Sequence, residues 1–394
     1  MMLGCWSTPD PDGLTEAEWE VLRGMVLPSA PATRRDAGAD PAVLAQLGQM
    51  LFFDRGLAGG AGPGVACVDC HDPRRYFSDS RVQRNVSYGL RWTARNSPPL
   101  LDLDLDSLYA WDGRGHTLEE QCRIAYLAGA TMAGDAAHLA ARIKAVPSYL
   151  SLYQLAFPDG GALDVDTWPQ QRELLDNVAS AWAVYLLRLR GGPSPFDRFV
   201  QDRFVQREAA ALTSAQRRGL KLFLTTAGCN QCHRGPNFSD GEFHSVGIAQ
   251  AGPNVGPDRG KADGFEFRLG PPYNPAGTKG PDAPGELVGV FRTPTLRNVA
   301  STGPYFHAGQ LETLDEVVRF YNRGGDRAVA RLPDGGVGQP DGFLVPLGLT
   351  DDEVDDLVAF LRGLTSPLPA EGLCNTAREV DDAGTELPYA GCRP

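Results

Sequence analysis

Cys67-Val68-Asp69-Cys70-His71 and Cys229-Asn230-Gln231-Cys232-His233 are the two stretches on which the fold of this 394-residue chain turns. Each reads Cys-x-x-Cys-His, the pattern by which a polypeptide attaches a c-type haem: two thiols add to the vinyl groups, and the adjacent imidazole reaches the iron from the same side. A redox Cys-x-x-Cys needs no histidine directly after it. A structural zinc would have to pool four ligands from the two stretches. Two covalently attached c-type haems are the favoured reading, with zinc the alternative.

Working outward, an amphipathic stretch precedes each motif. Ahead of Cys67 runs Asp40 to Phe53, with Leu44, Leu47, Met50 and Leu51 at helical spacing; ahead of Cys229 runs Ser214 to Leu224, with Leu220 and Phe223 on one face. This is a helix-then-haem unit used twice. Capping boxes at Thr117-x-x-Glu120, Thr213-x-x-Gln216, Thr313-x-x-Glu316 and Thr350-x-x-Glu353 open further helices. A helix over Glu173 to Arg190, carrying Leu174, Leu175, Val178, Trp182, Tyr185 and Leu186, closes the first half, and one over Asp351 to Leu364 closes the second. No alternating strand series appears, so the expected class is mainly α, with two cytochrome c-like haem domains. The 46 glycines and 31 prolines imply long loops, above all a surface loop over Ala249 to Gly289 beside the second haem. The expected boundaries are a leader or extension at 1–35, a first haem domain at 36–205, a second at 206–368 and a tail at 369–394 closed by a disulfide between Cys374 and Cys392.

Hydrophobic residues make up 42% and charged residues 22% of the chain, the balance of a globular protein. With 49 Asp plus Glu against 37 Lys plus Arg, the formal charge of -12 disfavours nucleic acid and anionic membrane surfaces as partners. No apolar run approaches the roughly 20 residues of a spanning helix. Covalent haem attachment places maturation outside the cytoplasm, so the expected location is the periplasm, where disulfides also persist. Cys5, after Met2-Leu3-Gly4, is a weak candidate for a lipid anchor, since no charged and apolar segment precedes it. Cys122 reads as a small buried apolar residue on a helix.

Each iron takes its first axial ligand from its own motif, His71 or His233, and its chemistry depends on what stands opposite. An open face admits peroxide; a filled one favours electron transfer. The five methionines are Met1, Met2, Met25, Met50 and Met132, so nothing beyond position 132 offers a thioether. Downstream of the second motif only His244 and His307 remain among histidines, and Tyr321, on the helix opened by Thr313, offers a phenolate. The plainer account of Tyr321 is packing beside Val317, Val318 and Phe320.

The run Leu51-Phe52-Phe53-Asp54, Cys67 to Pro73, Arg95-Asn96-Ser97-Pro98, Trp111-Asp112-Gly113-Arg114, Arg292-Thr293-Pro294-Thr295-Leu296-Arg297-Asn298 and Thr302-Gly303-Pro304-Tyr305-Phe306-His307-x-Gly309 resembles, in order, the bacterial dihaem cytochrome c peroxidase superfamily. In ordinary members a methionine ligand stands at the place of Tyr321; in the MauG and MbnH branch a tyrosine does. The resemblance therefore implies Tyr321 as the second ligand of the second iron. Ordinary peroxidases also cap the first haem with a loop histidine, and here that loop reads Ser87-Tyr88-Gly89-Leu90-Arg91-Trp92. Leu90 cannot ligate iron, so the first haem is expected to be five-coordinate and open to hydrogen peroxide. The family's distal glutamate falls at Thr131 and its nearby proline at Ala125, while Gln121 is retained; Glu119, Glu120 or Asp135 could substitute as the proton carrier. Trp111 matches the aromatic residue between the haems. Asn96, Thr302 and Pro304 match the ligands of a calcium ion between the domains. His244 and His307 are expected as hydrogen-bonding residues near haem propionates, and the acidic run Asp351, Asp352, Glu353, Asp355 and Asp356 as helix-start charges plus a solvated face.

The resemblance implies an enzyme that uses hydrogen peroxide to reach a bis-Fe(IV)-type state and oxidises a tryptophan on a partner protein. MauG-like members finish a tryptophan-derived quinone and MbnH-like members form kynurenine. Where the former carry a Trp just before the second motif, this chain has Ala227 and Gly228, which favours the MbnH-like product. The alternatives are a peroxidase that detoxifies peroxide with electrons from a small redox protein, and a dihaem electron carrier. Trp19, Trp92, Trp168 and Trp182 are the candidate surface exits for oxidising equivalents.

Overall fold

A computed structural model describes residues 13–29, 40–59, 64–79, 86–158, 161, 163–205, 211–248, 258–264, 287–325 and 341–368, and the backbone of 378–380 and 386–388. Cys5, Cys374 and Cys392, and most of the Ala249 to Gly289 loop, lie outside these residues. The helices are α1 (Glu16–Arg23), α2 (Pro41–Phe53), α3 (Leu118–Leu127), α4 (Ala136–Ala145), α5 (Pro147–Ala156), α6 (Trp168–Leu186), α7 (Pro195–Phe204), α8 (Ser214–Leu224), α9 (Leu314–Asn322) and α10 (Asp351–Arg362). Two short antiparallel pairs join them: β1 (Phe243–His244) with β2 (Phe291–Arg292), and β3 (Arg378–Val380) with β4 (Glu386–Pro388). None of the described helices is long and apolar enough to cross a membrane.

The two halves are built on one plan. α2 starts at Asp40, whose carboxylate accepts from the Ala42 amide, with Pro41 at the first helical position, where no amide is needed. It crosses α6 at Gly48, where a Cβ would stand 2.0 Å from the Ala181 carbonyl oxygen. In the second half α8 crosses α10 at Gly219, where a Cβ would stand 2.0 Å from the Asp356 carbonyl oxygen. In each half a glycine thus brings the helix before the haem motif against the closing helix, backbone to backbone. The Thr213, Thr313 and Thr350 capping boxes form as expected. At Thr117 only half of one does, because Glu120 turns instead to the His116 amide at 2.9 Å.

Leu47, Leu51, Phe52, Tyr149, Val178 and Trp182 lie in the first hydrophobic core. Phe196, Phe199, Leu220, Phe223, Val318 and Phe360 lie in the second. The change of core comes between Leu189 and Phe196, so α7, ahead of the boundary expected after residue 205, packs in the second core. Part of the stretch expected as a leader joins it too: Leu14, Trp19, Leu22 and Met25 are buried in the second core, and Trp19 packs 5.5 Å from Phe199. α6 begins at Trp168, earlier than the expected Glu173, on the capping box Thr167-x-x-Gln170.

Buried ion pairs join the halves. Arg95 reaches Asp112 at 2.8 Å and, from the second half, Asp258 at 2.7 Å. Arg292 reaches back to Asp106 at 3.0 Å, and Asn237 donates to the same carboxylate at 2.7 Å. Asp356, expected on a solvated face, is buried and pairs with Arg218 at 2.6 Å, locking α8 to α10.

Candidate haem sites

Both Cys-x-x-Cys-His motifs fold as the same tight 3₁₀ turn. The His71 amide donates to the Cys67 carbonyl at 3.0 Å, and the His233 amide to the Cys229 carbonyl at 2.9 Å. Each imidazole is then fixed by its Nδ1, which lies 2.9 Å from the Phe77 carbonyl in the first site and 2.9 Å from the Phe238 carbonyl in the second. A carbonyl only accepts, so Nδ1 carries the proton and Nε2 keeps its lone pair for a metal. Phe77 and Phe238 hold left-handed backbones at φ 56° and 49°, a conformation unfavourable for a bulky residue that turns each carbonyl toward its histidine. Burial lowers both histidines below their ordinary value, against the opposing pull of those carbonyls, so both imidazoles are neutral, as an iron ligand must be. The Pro98 carbonyl bears on His71 and the Pro294 carbonyl on His233, which gives the Asn-Ser-Pro and Arg-Thr-Pro motifs matching places in the two halves.

The surroundings fit a haem. Burial pushes the Cys67 and Cys229 thiols up to about 12, so they sit protonated in apolar surroundings. The Met132 sulfur is 4.0 Å from Cys67 Sγ, and Tyr126 and Tyr185 lie near the same thiol. Trp182 Nε1, Tyr185 Oη and Gln121 Oε1 are buried there with no hydrogen-bond partner among the described residues. Orphaned polar atoms are costly in a finished core, and a haem held by this motif would cover the chamber that these atoms line. Zinc does not fit: among the described residues the four motif cysteines do not converge, and the one metal-capable cluster is Cys232, Asp240 and His244.

In the second site Tyr321 projects from α9 between Phe320 at 5.3 Å and Phe306 at 6.1 Å, ring centroid to centroid. Its phenol is raised above the ordinary value, first by burial and then by the nearby Cys229 and Cys232. No described residue hydrogen-bonds to it. His244 lies beside the same motif, with Nδ1 2.9 Å from Asp341 and Nε2 3.0 Å from Asp240.

Between the halves, Trp111 donates its indole N–H to the Asn96 carbonyl at 2.8 Å, and its own carbonyl accepts from the Arg292 amide at 2.8 Å. The Asn96 amide donates to the His307 carbonyl at 2.7 Å, and its side chain donates to the Pro304 carbonyl at 3.2 Å. Asn96 and Pro304, two of the three expected calcium ligands, are therefore in contact; the Thr302 hydroxyl faces its own turn, 3.4 Å from the Val299 carbonyl. His307 is buried and lowered to about 4 by that burial, and it stacks on Phe291 at 3.8 Å.

The loop that lacks the capping histidine is docked on the segment at Ala130 and Thr131. The Leu90 and Arg91 amides donate to the Thr131 and Ala130 carbonyls at 3.0 and 3.1 Å. Thr131, expected near peroxide, directs its hydroxyl to the carbonyls of Ala125 at 2.5 Å and Ala128 at 2.9 Å, so its proton is held within its own turn. The sequence reading missed Met132 beside Cys67 and the Tyr88 carbonyl 3.9 Å from Cys70 Sγ. The position of Thr131 in the same loop is the signal that could have pointed to Met132.

Residues 42–204 match the family model of the di-haem cytochrome c peroxidases. The chain is 33% identical over 341 residues to the cytochrome-c peroxidase IdrP2 of Denitromonas iodatirespirans, covering 84% of this chain and 83% of that one. It is 31% identical over 318 residues to the methylamine utilization protein MauG of Methylorubrum extorquens, covering 81% and 77%. The crystal structure of a MauG-like protein associated with microbial copper homeostasis superposes with a TM-score of 0.65 at 27% identity, over 86% of this chain and 95% of that one. The identity and coverage, joined to two matching haem-attachment turns, place this chain in the di-haem cytochrome c peroxidase and MauG family, a family of peroxide-dependent oxidoreductases carrying two c-type haems.

Proposed function

We propose that this protein is a periplasmic MauG- or MbnH-type oxidase that spends hydrogen peroxide on a tryptophan of a partner protein, with kynurenine the favoured product. The observation that carries the reading is Tyr321: a half-buried phenol beside the second Cys-x-x-Cys-His turn, hydrogen-bonded to no described residue. A ligand has its partner in the metal, and burial keeps the phenol protonated until coordination releases the proton.

Haem iron, when bound, supplies the redox couple that reduces peroxide to water. The residues supply the rest. Gln121 presents its buried, unpartnered carboxamide oxygen as an acceptor for a peroxide O–H. Thr131 shapes the distal loop, because its own proton is engaged. Trp111, fixed at ring and backbone, is the aromatic bridge between the sites. The meeting of Asn96 with Pro304 supports a calcium ion there, bound once the Asn96 amide turns its oxygen inward, with Thr302 as the third ligand.

The test is spectroscopic and chemical. The holoprotein mixed with peroxide should give a long-lived two-electron-oxidised state with a near-infrared band, and the partner protein should then gain a mass matching kynurenine. Relatives named as cytochrome-c peroxidases favour a second reading, peroxide removal with electrons from a small redox protein. Fast turnover with such a donor and no modified partner would decide for it. Failure of cyanide or carbon monoxide to bind either haem would leave an electron carrier.

A further inference from the structure

We propose that Asn322 is the positioning residue for Tyr321: it pins the strap of residues 341–349 on the ligand side of the second haem site, while His244 pins the same strap on the thioether side. The inference rests on Tyr321 as the iron ligand and adds to that reading what holds the ligand in place.

Tyr321 needs holding. It stands in the last turn of α9, one residue from the end, where intrahelical hydrogen bonds run out. Its phenol bonds to no described residue, so the ring contacts with Phe320 and Phe306 are what touch it directly. The turn that follows is built for close approach. The Gly324 amide donates to the Tyr321 carbonyl at 2.9 Å and the Gly325 amide to the Phe320 carbonyl at 3.0 Å, with both glycines at positive φ, 82° and 73°. A Cβ at Gly324 would stand 2.8 Å from the Pro346 nitrogen, and one at Gly325 2.9 Å from the Val246 carbonyl oxygen. The end of α9 is thus packed between the strap and the residues just after β1.

The strap has no helix or strand of its own, and Asn322 is its hold on α9. The Asn322 side chain pairs with both backbone groups of Leu349, donating to the carbonyl at 2.9 Å and accepting from the amide at 2.8 Å. The Asn322 carbonyl accepts from the Leu347 amide at 2.9 Å. Leu349 is buried in the second core and Thr350 caps α10, so this end of the strap is anchored.

At the other end the Asp341 amide donates to the Ser245 carbonyl at 3.0 Å, and the Asp341 carboxylate faces His244 Nδ1 at 2.9 Å. His244 Nε2 faces Asp240 at 3.0 Å, and a ring between two carboxylates suits the imidazolium, which donates from both nitrogens. The Cys232 sulfur lies within 4.8 Å of the ligating atoms of His244 and Asp240. One short segment therefore joins the neighbour of Tyr321 to a residue beside the haem-attachment sulfur, and fixes the span between them. Without the two side-chain bonds of Asn322, made only while the last turn of α9 is docked, the undocked arrangement should become about tenfold more populated.

The test titrates the holoprotein with imidazole and reads the second iron by electron paramagnetic resonance, which separates it from the first. Tyr321→Phe should take imidazole at the second iron far more readily than the wild type does. Asn322→Ala, with the phenol still present, should reach half-saturation at about tenfold less imidazole than the wild type. A merely structural Asn322 would lower the unfolding midpoint of its variant and leave the imidazole titration where the wild type has it. That result overturns the strap and leaves Tyr321 as ligand. A wild type and a Tyr321→Phe variant that take up imidazole alike overturn the ligand reading as well. Should Asn322→Ala fail to retain haem, Asp341→Ala decides by the same shift, since Asp341 lies at the partly exposed start of the strap.

Discussion

Tyr321→Phe separates a ligand from a packing residue. The substitution removes one oxygen and keeps the ring, so the contacts with Phe320 at 5.3 Å and Phe306 at 6.1 Å persist. Because no described residue hydrogen-bonds to the phenol, its loss from the haem-free protein strands no partner, and the cost should stay within about 1 kcal/mol. Had the hydroxyl been part of a buried network, removing it would cost about 1–3 kcal/mol. For a half of this size 1 kcal/mol corresponds to roughly 2–4 °C in Tm. The assay pairs thermal unfolding of the haem-free chain with the mass and absorption spectrum of the holoprotein. The expected result is both haems attached, an unfolding midpoint shifted by no more than those few degrees, a changed spectrum for the second haem and loss of the long-lived oxidised state with peroxide. A variant that unfolds far earlier yet keeps the wild-type spectrum would refute the reasoning, since it would make Tyr321 a structural residue.

Gly219→Ala and Gly48→Ala should each destabilise their own half by about 1–3 kcal/mol or more, because a Cβ 2.0 Å from a carbonyl oxygen forces the crossing helices apart. Gly192→Ala, with nothing within 4 Å, should change the denaturant midpoint little, within about 0.5 kcal/mol. Trp111→Phe loses the 2.8 Å bond to the Asn96 carbonyl, so it should cost about 1–3 kcal/mol, spare haem attachment and slow charge sharing between the haems in stopped-flow spectra. Asp197 supplies the acid-sensitive element. Burial works to raise its carboxyl, but hydrogen bonds and charge from Arg297, with Ser194 and the Leu27 amide, outweigh it and hold the group below the usual range. Its folded value therefore lies below the unfolded one, so its stabilisation is complete above about pH 4 and fades as pH falls through the folded value. Asp197→Ala, which leaves Arg297 buried and unpaired, should cost about 3–5 kcal/mol at neutral pH and flatten the acid side of the stability profile.

What the sequence makes legible follows from how local the chemistry is. Covalent haem attachment demands two thiols and an imidazole at fixed spacing, so Cys67 to His71 and Cys229 to His233 announce themselves. Helix starts announce themselves where a threonine and a glutamate or glutamine answer each other, as at Thr213, Thr313 and Thr350. The Thr15-x-x-Glu18 box of α1 and the Ser194-x-x-Asp197 box of α7 carry the same signal. The second is harder to read, because the aspartate that caps the helix is also spent on Arg297, 100 positions away. Asp356 fails as a surface charge for the same reason: its partner Arg218 lies on another helix, and nothing nearby in sequence marks the pair.

The haem sites themselves depend on a feature that composition hides. Phenylalanine has little tolerance for a left-handed backbone, yet Phe77 and Phe238 both adopt one, each at the residue whose carbonyl fixes the histidine of its motif. The same strained device recurs in both halves, at the Phe of the Phe77-Ser78-Asp79 and Phe238-Ser239-Asp240 triplets that follow the two motifs, and indicates that strain of about 1–3 kcal/mol is tolerated in each half for ligand orientation. The buried rings of Phe77 and Phe238, packed against Phe52 and Phe196, are well placed to hold that conformation, because relaxing either backbone would have to withdraw an aromatic side chain from its core. Hydrophobic packing thereby sets which nitrogen of His71 and His233 faces the metal.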